Sequence, residues 1–327
     1  MSIIVCKNLS KTFKVAERSK GVWKAFLSLF KRKYKTVNAL KDINFEIEEG
    51  SIVGYIGPNG AGKSTTIKIM SGILTPTSGK CIIDGKIPYK DRVSYVKNIG
   101  VVFGQKSQLW WDVPVIDSFE LLKDIYKIPY DQYETTLSLL TEKLNLQDTL
   151  NKPLRQLSLG QKMKCELAAS LLHRPKILFL DEPTIGLDAV TKLAVRDFVK
   201  KINKEWHTTV ILTTHDMNDI EALTDKIILI GHGEILYNGS FNNIKKKYCN
   251  EKYITVEFSK TYQNVEFDNY ELISYKNNIA KYKFVGEKFS SSNFLKEFTK
   301  TYEIEDFSVE SLNVEEILAK LYKDYQL

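Results

Sequence analysis

The chain has 327 residues, 43% hydrophobic and 27% charged, the proportions of a globular protein long enough for two domains. No apolar run approaches the ~20 residues that a membrane-spanning helix needs, which argues against a membrane-embedded chain. The net charge of +7 is concentrated: between Lys11 and Lys35, nine Lys or Arg face one acid, Glu17, a segment suited to nucleic acid or to an anionic membrane surface.

The start, Met1 to Lys7, has no secretory layout. The four cysteines, at 6, 81, 165 and 249, are too far apart for a CxxC-type metal or redox site. Reduced, mostly buried thiols in the cytosol are expected. Ile3 to Ser10 reads as a first strand, followed by Lys11-Thr-Phe13. Trp23, Phe26, Leu27 and Phe30 then recur at helical spacing among lysines, an apolar stripe within an insertion over about 16–35. That stripe suits either a membrane neighbour, lipid or protein, or packing on the chain's own core. Ala39 to Ile47 alternates as a strand, with Glu49-Gly50 as a turn into the apolar strand Ser51 to Ile56.

Gly57-Pro58-Asn59-Gly60-Ala61-Gly62-Lys63-Ser64-Thr65 comes next, with Thr66 entering a helix, the strand–loop–helix context of a P-loop. Gly57, Gly60 and Gly62 let backbone N–H groups converge on a phosphate at a helix N-terminus. Lys63 would neutralise β- and γ-phosphates, and the Ser64 hydroxyl would ligate Mg²⁺. Cys81 to Gly85 and Ile99 to Phe103 are further strands, the second leading through Gly104 to Gln105, whose amide could reach Mg²⁺ or an attacking water. Beyond them, Trp110, Trp111 and Pro114 form either a docking patch or part of the core of a helical subdomain. From about 115 to 172 the apolar period is helical, as in Leu137, Leu140 and Leu144.

Within that helical stretch, Leu157-Ser158-Leu159-Gly160-Gln161 opens a helix and forms a second anion-binding terminus. One nucleotide cannot use both cradles of one chain, so two copies facing head to tail are expected. Lys176 to Asp181 is a doubly buried strand that delivers Asp181 as a Mg²⁺ ligand, with Glu182 placed to polarise water. Thr209 to His215 repeats the pattern and brings His215 toward the γ-phosphate. Lys226 to Ile230 is a further buried strand, and Gly239-Ser240 ends the region. Lys245 to Lys247 reads as a solvated connector to a small α+β domain over 241–327, with strands near 253–258, 280–285 and 307–309 and helices after Ser290 and Glu315.

These motifs, in this order over residues 1 to about 240, resemble the ATP-binding cassette (ABC) transporter ATPases. Gly57–Thr65 resembles the Walker A loop, Ile177–Asp181 the Walker B strand and Leu157–Gln161 the signature motif. The resemblance implies an α/β P-loop NTPase cassette: a mostly parallel sheet core, an antiparallel β subdomain and an inserted helical subdomain. It implies roles for Glu182 as catalytic base, Gln105 as the Q-loop glutamine and His215 as the switch histidine. Asp188, in Gly186-Leu-Asp188, resembles the D-loop residue at the dimer seam. Phe13 resembles the aromatic that stacks on adenine, or is a core phenylalanine. Leu159 stands where the family usually has glycine, and Gly104 separates Gln105 from its strand.

The resemblance further implies an ATP- and Mg²⁺-dependent ATPase, paired with a second cassette. It would act at the cytoplasmic face of the cell membrane on separate permease subunits, as in multidrug-exporter-like systems. No nucleic acid is expected as partner. The alternative is an ABC ATPase of translation or repair, but those members carry two cassettes or long coiled coils, and this chain has one P-loop and no sustained heptads.

Overall fold

The computed structural model describes residues 1–16, 34–104, 106–224, 226–248, 251–267, 270–285, 290–312 and 314–325. Gln105, Cys249 and the Trp23/Phe26/Leu27/Phe30 stripe lie outside the described residues. The described chain forms two compact units, Met1–Gly239 and Ser240–Gln326.

In the first unit, β1 (Ser2–Ala16) and β2 (Tyr34–Glu48) form a long antiparallel ladder that ends at the pair Ala16↔Tyr34. Both strands therefore run further than their apolar alternation implies, because pairs exposed on both strands, Lys14↔Thr36 and Val15↔Lys35, continue the register. With β4 (Ser78–Ile83) they make a three-stranded sheet ordered β2-β1-β4. Cys6 and Cys81 face each other across it, their sulfurs 3.4 Å apart and buried.

The central sheet has the order β5-β6-β7-β3-β8-β9, from β3 (Ile52–Ile56), β5 (Ile99–Phe103), β6 (Ile177–Asp181), β7 (Thr209–Thr213), β8 (Lys226–Gly231) and β9 (Glu234–Ser240). Strands β5, β6, β7, β3 and β8 pair in parallel. Side chains alternate across a strand, so one apolar run feeds two cores. Leu178, Leu180, Val210 and Leu212 pack with the helices. Ile177, Phe179 and Ile211 pack with the antiparallel sheet. Each such side chain, fully buried, contributes about 1.5–3 kcal/mol.

Helix α1 (Lys63–Met70) follows β3, and a short α2 (Arg92–Val96) precedes β5. The helical region comprises α3 (Val115–Tyr126), α4 (Tyr130–Leu144) and α5 (Leu159–Leu171). Leu140, Leu144, Met163, Leu167 and Leu171 are buried there, as their spacing requires. Helix α6 (Ala189–Trp206) precedes β7, and α7 (Met217–Leu223) follows it.

In the second unit, β10 (Glu251–Phe258), β11 (Glu271–Lys276), β12 (Ile279–Val285) and β13 (Ile304–Ser311) form an antiparallel sheet ordered β11-β12-β10-β13. Phe258, Tyr282, Phe294 and Phe298 fill its core. The expected solvated connector is instead helix α8 (Phe241–Tyr248): Phe241 and Ile244, three apart, are buried, which ties the lysine run to a helix face. Helices α9 (Ser291–Thr301) and α10 (Val314–Asp324) complete the unit.

His173, just beyond α5, stacks on Tyr126 at 4.0 Å between ring centroids, and its Nε2 lies 2.9 Å from the Ile99 carbonyl. Desolvation lowers its pKa from 6.5 to about 4, despite the opposing carbonyl bond. The unfolded chain therefore binds the extra proton between those values, so stability falls as pH drops through that window, by up to roughly 3 kcal/mol. Chemical denaturation from pH 7 to 4 should show this slope. His173→Phe, which keeps the stacking, should flatten it.

Candidate active site

The carboxyl ends of β3, β5, β6 and β7 open on one side of the sheet, where open α/β sheets place their ligands. A cleft of about 600 Å³ lies there, lined by Pro58, Asn59, Gly60, Gly62, Lys63, Ser64, Thr65, Asp181, Glu182 and His215, with Phe103 and Gly104 from β5 and its exit. The loop after β3 can take its path only with glycine at two places. A Cβ on Gly57 would lie 2.1 Å from the Ile230 carbonyl oxygen, and one on Gly62 (φ 113) would lie 2.7 Å from that of Ala39.

Lys63 is 7% exposed. Its ammonium donates to the carbonyls of Gly57 at 2.6 Å and Pro58 at 3.1 Å. Desolvation lowers its pKa, opposed by the charges of Glu182 and Asp181. Thr66 stands apart from the rest of the loop. Its N–H and hydroxyl both donate to the Gly62 carbonyl, and its oxygen lies 3.1 Å from the Tyr55 hydroxyl, fully buried. Expected among the nucleotide-binding residues, Thr66 is instead committed to bracing the loop from inside.

Asp181 accepts from the Thr213 hydroxyl at 2.5 Å. The Glu182 N–H donates to the Thr213 carbonyl at 3.0 Å, and Glu182 Oε1 lies 2.9 Å from His215 Nε2. Desolvation raises the Glu182 pKa; the His215 and Lys63 charges oppose it, and Asp181 adds to it. Glu182 holds a left-handed backbone, φ 59, which costs a non-glycine residue roughly 1–2 kcal/mol. This turn explains Gly104. Its N–H donates to the Asp181 carbonyl at 2.8 Å, and a Cβ there would sit 2.3 Å from the Glu182 carbonyl oxygen. The glycine that separates Gln105 from its strand is what lets the Glu182 turn pass.

The second cradle is elsewhere. Ser158 caps α5 in a reciprocal box with Gln161: Gln161 N–H donates to Ser158 Oγ at 3.2 Å, and Ser158 N–H to Gln161 Oε1 at 3.0 Å. Leu159, 48% exposed, fits because its neighbour is small: a Cβ on Gly186 would lie 2.9 Å from Leu159 Cδ2. Gly160 likewise faces Thr191, whose N–H and hydroxyl donate to Asp188 at 2.9 and 2.6 Å. Ser158, Gly160, Gln161 and Asp188 do not line the cleft, and neither does Phe13, half-buried opposite Val37 on the β1–β2 ladder under the Lys11 ammonium.

Among the described residues, no group of three or more His, Cys, Asp or Glu could cage a metal ion. The cleft does offer a serine hydroxyl, Ser64, and a carboxylate, Asp181. This hard, sparse oxygen set fits Mg²⁺, which keeps waters and takes phosphate oxygens. Sequence reasoning noted Gly104 only as a gap before Gln105, and missed Thr213; a glycine and a threonine directly at strand ends were the available signals. Past Gln105, the buried Glu166 of α5 accepts from the Ser107 hydroxyl and the Gln108 N–H, tying that loop to the Ser158 helix. Trp110 and Trp111 are 56% and 54% exposed, with the Lys162 ammonium over the Trp111 ring at 4.4 Å.

Gly104→Ala should destabilise the fold by about 1–3 kcal/mol, since backbone must move to admit the methyl group. Gly85→Ala, at φ 72 in open space, should cost about 1 kcal/mol for conformation alone. Thermal unfolding of the two variants compares them.

A family model described as ABC transporter matches residues 40–185. The ABC transporter A family member 8 of Dictyostelium discoideum is 36% identical over 229 residues, 70% of this chain but 27% of that protein. The chain thus spans about a quarter of the length of such relatives. The methionine import ATP-binding protein MetN 2 of Enterococcus faecalis is 34% identical, over 79% of this chain and 77% of its own. The probable multidrug ABC transporter ATP-binding protein YbhF of Escherichia coli is 34% identical over 68% of this chain and 38% of its own. Among solved structures, the ATP-binding cassette MJ0796, a dimer in a post-hydrolysis state bound to ADP and Pi, superposes with a TM-score of 0.61 at 28% identity, over 72% of this chain and 98% of that one. This chain belongs to the ABC transporter family and is one of its ATP-binding cassettes.

Proposed function

We propose that this cassette hydrolyses ATP as one half of a head-to-tail dimer and passes the work to separate permease subunits at the cytoplasmic face of the membrane, in the direction of export. The observation that carries this reading is the separation of its two phosphate cradles: Lys63 lines the cleft with Glu182, whereas Ser158 and Gly160 do not line it. A C2 pair would bring each cradle over the partner's cleft. Half-exposed Trp110 and Trp111, beside the Q-loop segment, support a docking patch over a core role. No described helix is long and apolar enough to cross a membrane. Likeness to a multidrug ATP-binding protein supports export.

In this mechanism Lys63 exchanges its two carbonyl acceptors for β- and γ-phosphate oxygens, and backbone N–H groups of the Gly57–Thr65 loop hold the phosphates. Ser64 and Asp181, with Gln105, would hold Mg²⁺, which supplies charge neutralisation at the transferring phosphoryl group. Glu182 orients the attacking water, and His215, 2.9 Å away, fixes the carboxylate and meets the γ-phosphate. Phe13 stacks on adenine. Gln161 holds Ser158 in place through the capping box. Asp188 serves the seam beside it.

Glu182→Gln should lower kcat by about 10²-fold or more while ATP still binds, and should hold an ATP-dependent dimer on size-exclusion chromatography. An unchanged kcat would remove Glu182 from its role. Because only the carboxylate can act as base, and burial raises its pKa, activity should fade on acidification above the ordinary glutamate range. Affinity purification from membranes should recover a multi-span protein. Recovery of ribosomes or DNA would overturn the transporter reading.

A further inference from the structure

Behind the cleft, Asp219 of α7 is completely buried. It accepts from three groups on three different segments. Thr184, two residues beyond Glu182, donates its hydroxyl to Oδ2. Thr214, the residue before His215, donates its hydroxyl to Oδ2 at 3.0 Å. Arg196, on α6, donates its Nε to Oδ1 at 2.5 Å. The same guanidinium reaches Asp216 at 3.4 Å, and Lys192 reaches Asp216 at 2.6 Å.

We infer that Asp219 is a positioning residue: one buried carboxylate fastens the loop of Glu182 and the loop of His215 to each other and to α6, and so sets the 2.9 Å Glu182–His215 contact. The inference rests on the roles proposed for Glu182 and His215. Three points carry it. A buried carboxylate is tolerated only when its lone pairs are filled and its charge is paired, and Asp219 meets both conditions with donors from outside its own helix. Its hydroxyl donors sit one and two residues from the two reacting side chains, so a slip of either loop breaks a charge-assisted bond. Strand alternation divides the work at the end of β7: Thr213 turns to Asp181 at the cleft, and Thr214 turns away to Asp219. Asp219 itself does not line the cleft, so its effect must pass through the loops.

Asp219→Asn keeps the volume but loses the charge and one acceptor. In the purified 327-residue chain it should lower kcat at least about 10-fold while KM for ATP changes less than about 2-fold, because misplaced catalytic groups cost the chemical step and not binding. Asp219→Glu should recover part of kcat if its carboxylate reaches the same donors. Should Asp219→Asn fail to fold, Thr184→Val and Thr214→Val each remove one tie and leave the Arg196 pair intact; each should lower kcat several-fold at constant KM. A folded Asp219→Asn with wild-type kcat, or with KM rising in step with the loss, overturns the inference, as do two threonine variants with unchanged kcat. Glu182→Gln in the same assay separates the readings. If it keeps full activity, the role of Glu182 fails; if it is inactive while the Asp219 and threonine variants are unaffected, only the brace fails.

Discussion

Everything at the cleft hangs on β7, the strand wedged between the P-loop strand and the acidic strand. Its backbone receives the Glu182 N–H, its Thr213 hydroxyl holds Asp181, and its continuation carries His215. All five residues of β7 are buried, so it cannot shift without disturbing both cores of the cassette. The position of the carboxylates relative to Lys63 is thereby set by the packing of an apolar strand, which is why a chemical site can be built from loops without being loose.

The electrostatics of the cleft are those of a site prepared for an anion. Lys63 is nearly buried, yet its ammonium donates to two neutral carbonyls. A cation so placed is poorly compensated, and phosphate oxygens are a better partner than carbonyls. Glu182 carries the opposite tension: burial disfavours its charge while His215 and Lys63 restore part of it. Together with the left-handed turn at Glu182, these are local costs that the surrounding packing sustains, a common mark of functional sites.

Much of this was legible in the chain. The glycine spacing from Gly57 to Gly62 and the acids after Ile177–Leu180 point to the cleft, because phosphate cradles and strand-end carboxylates impose narrow local rules. Buried strands were legible from β-branched and leucine runs, but their ends were not, since polar pairs in the β1–β2 ladder carry no apolar signal. Helix α8 was hidden by its lysines, and α2, at five residues, is too short for a period. Two departures from the family pattern acquired reasons only in three dimensions. Gly104 clears the Glu182 carbonyl, and Leu159 fits against Gly186. Both depend on contacts between segments distant in sequence, which no local pattern encodes. The same holds for Asp219, an unremarkable acid in a short helix until its donors are seen.

The central claim is that each ATP is completed by the Ser158 helix of another copy, and mixing two inactive variants tests it. Lys63→Ala spoils the P-loop half of a site and Ser158→Arg the signature half; alone, each should be inactive. Mixed in equal amounts, half the dimers pair one of each and hold one intact site in two, so about a quarter of wild-type ATPase activity should return. Activity no greater than the sum of the two variants would mean that no composite site forms, and would contradict the account.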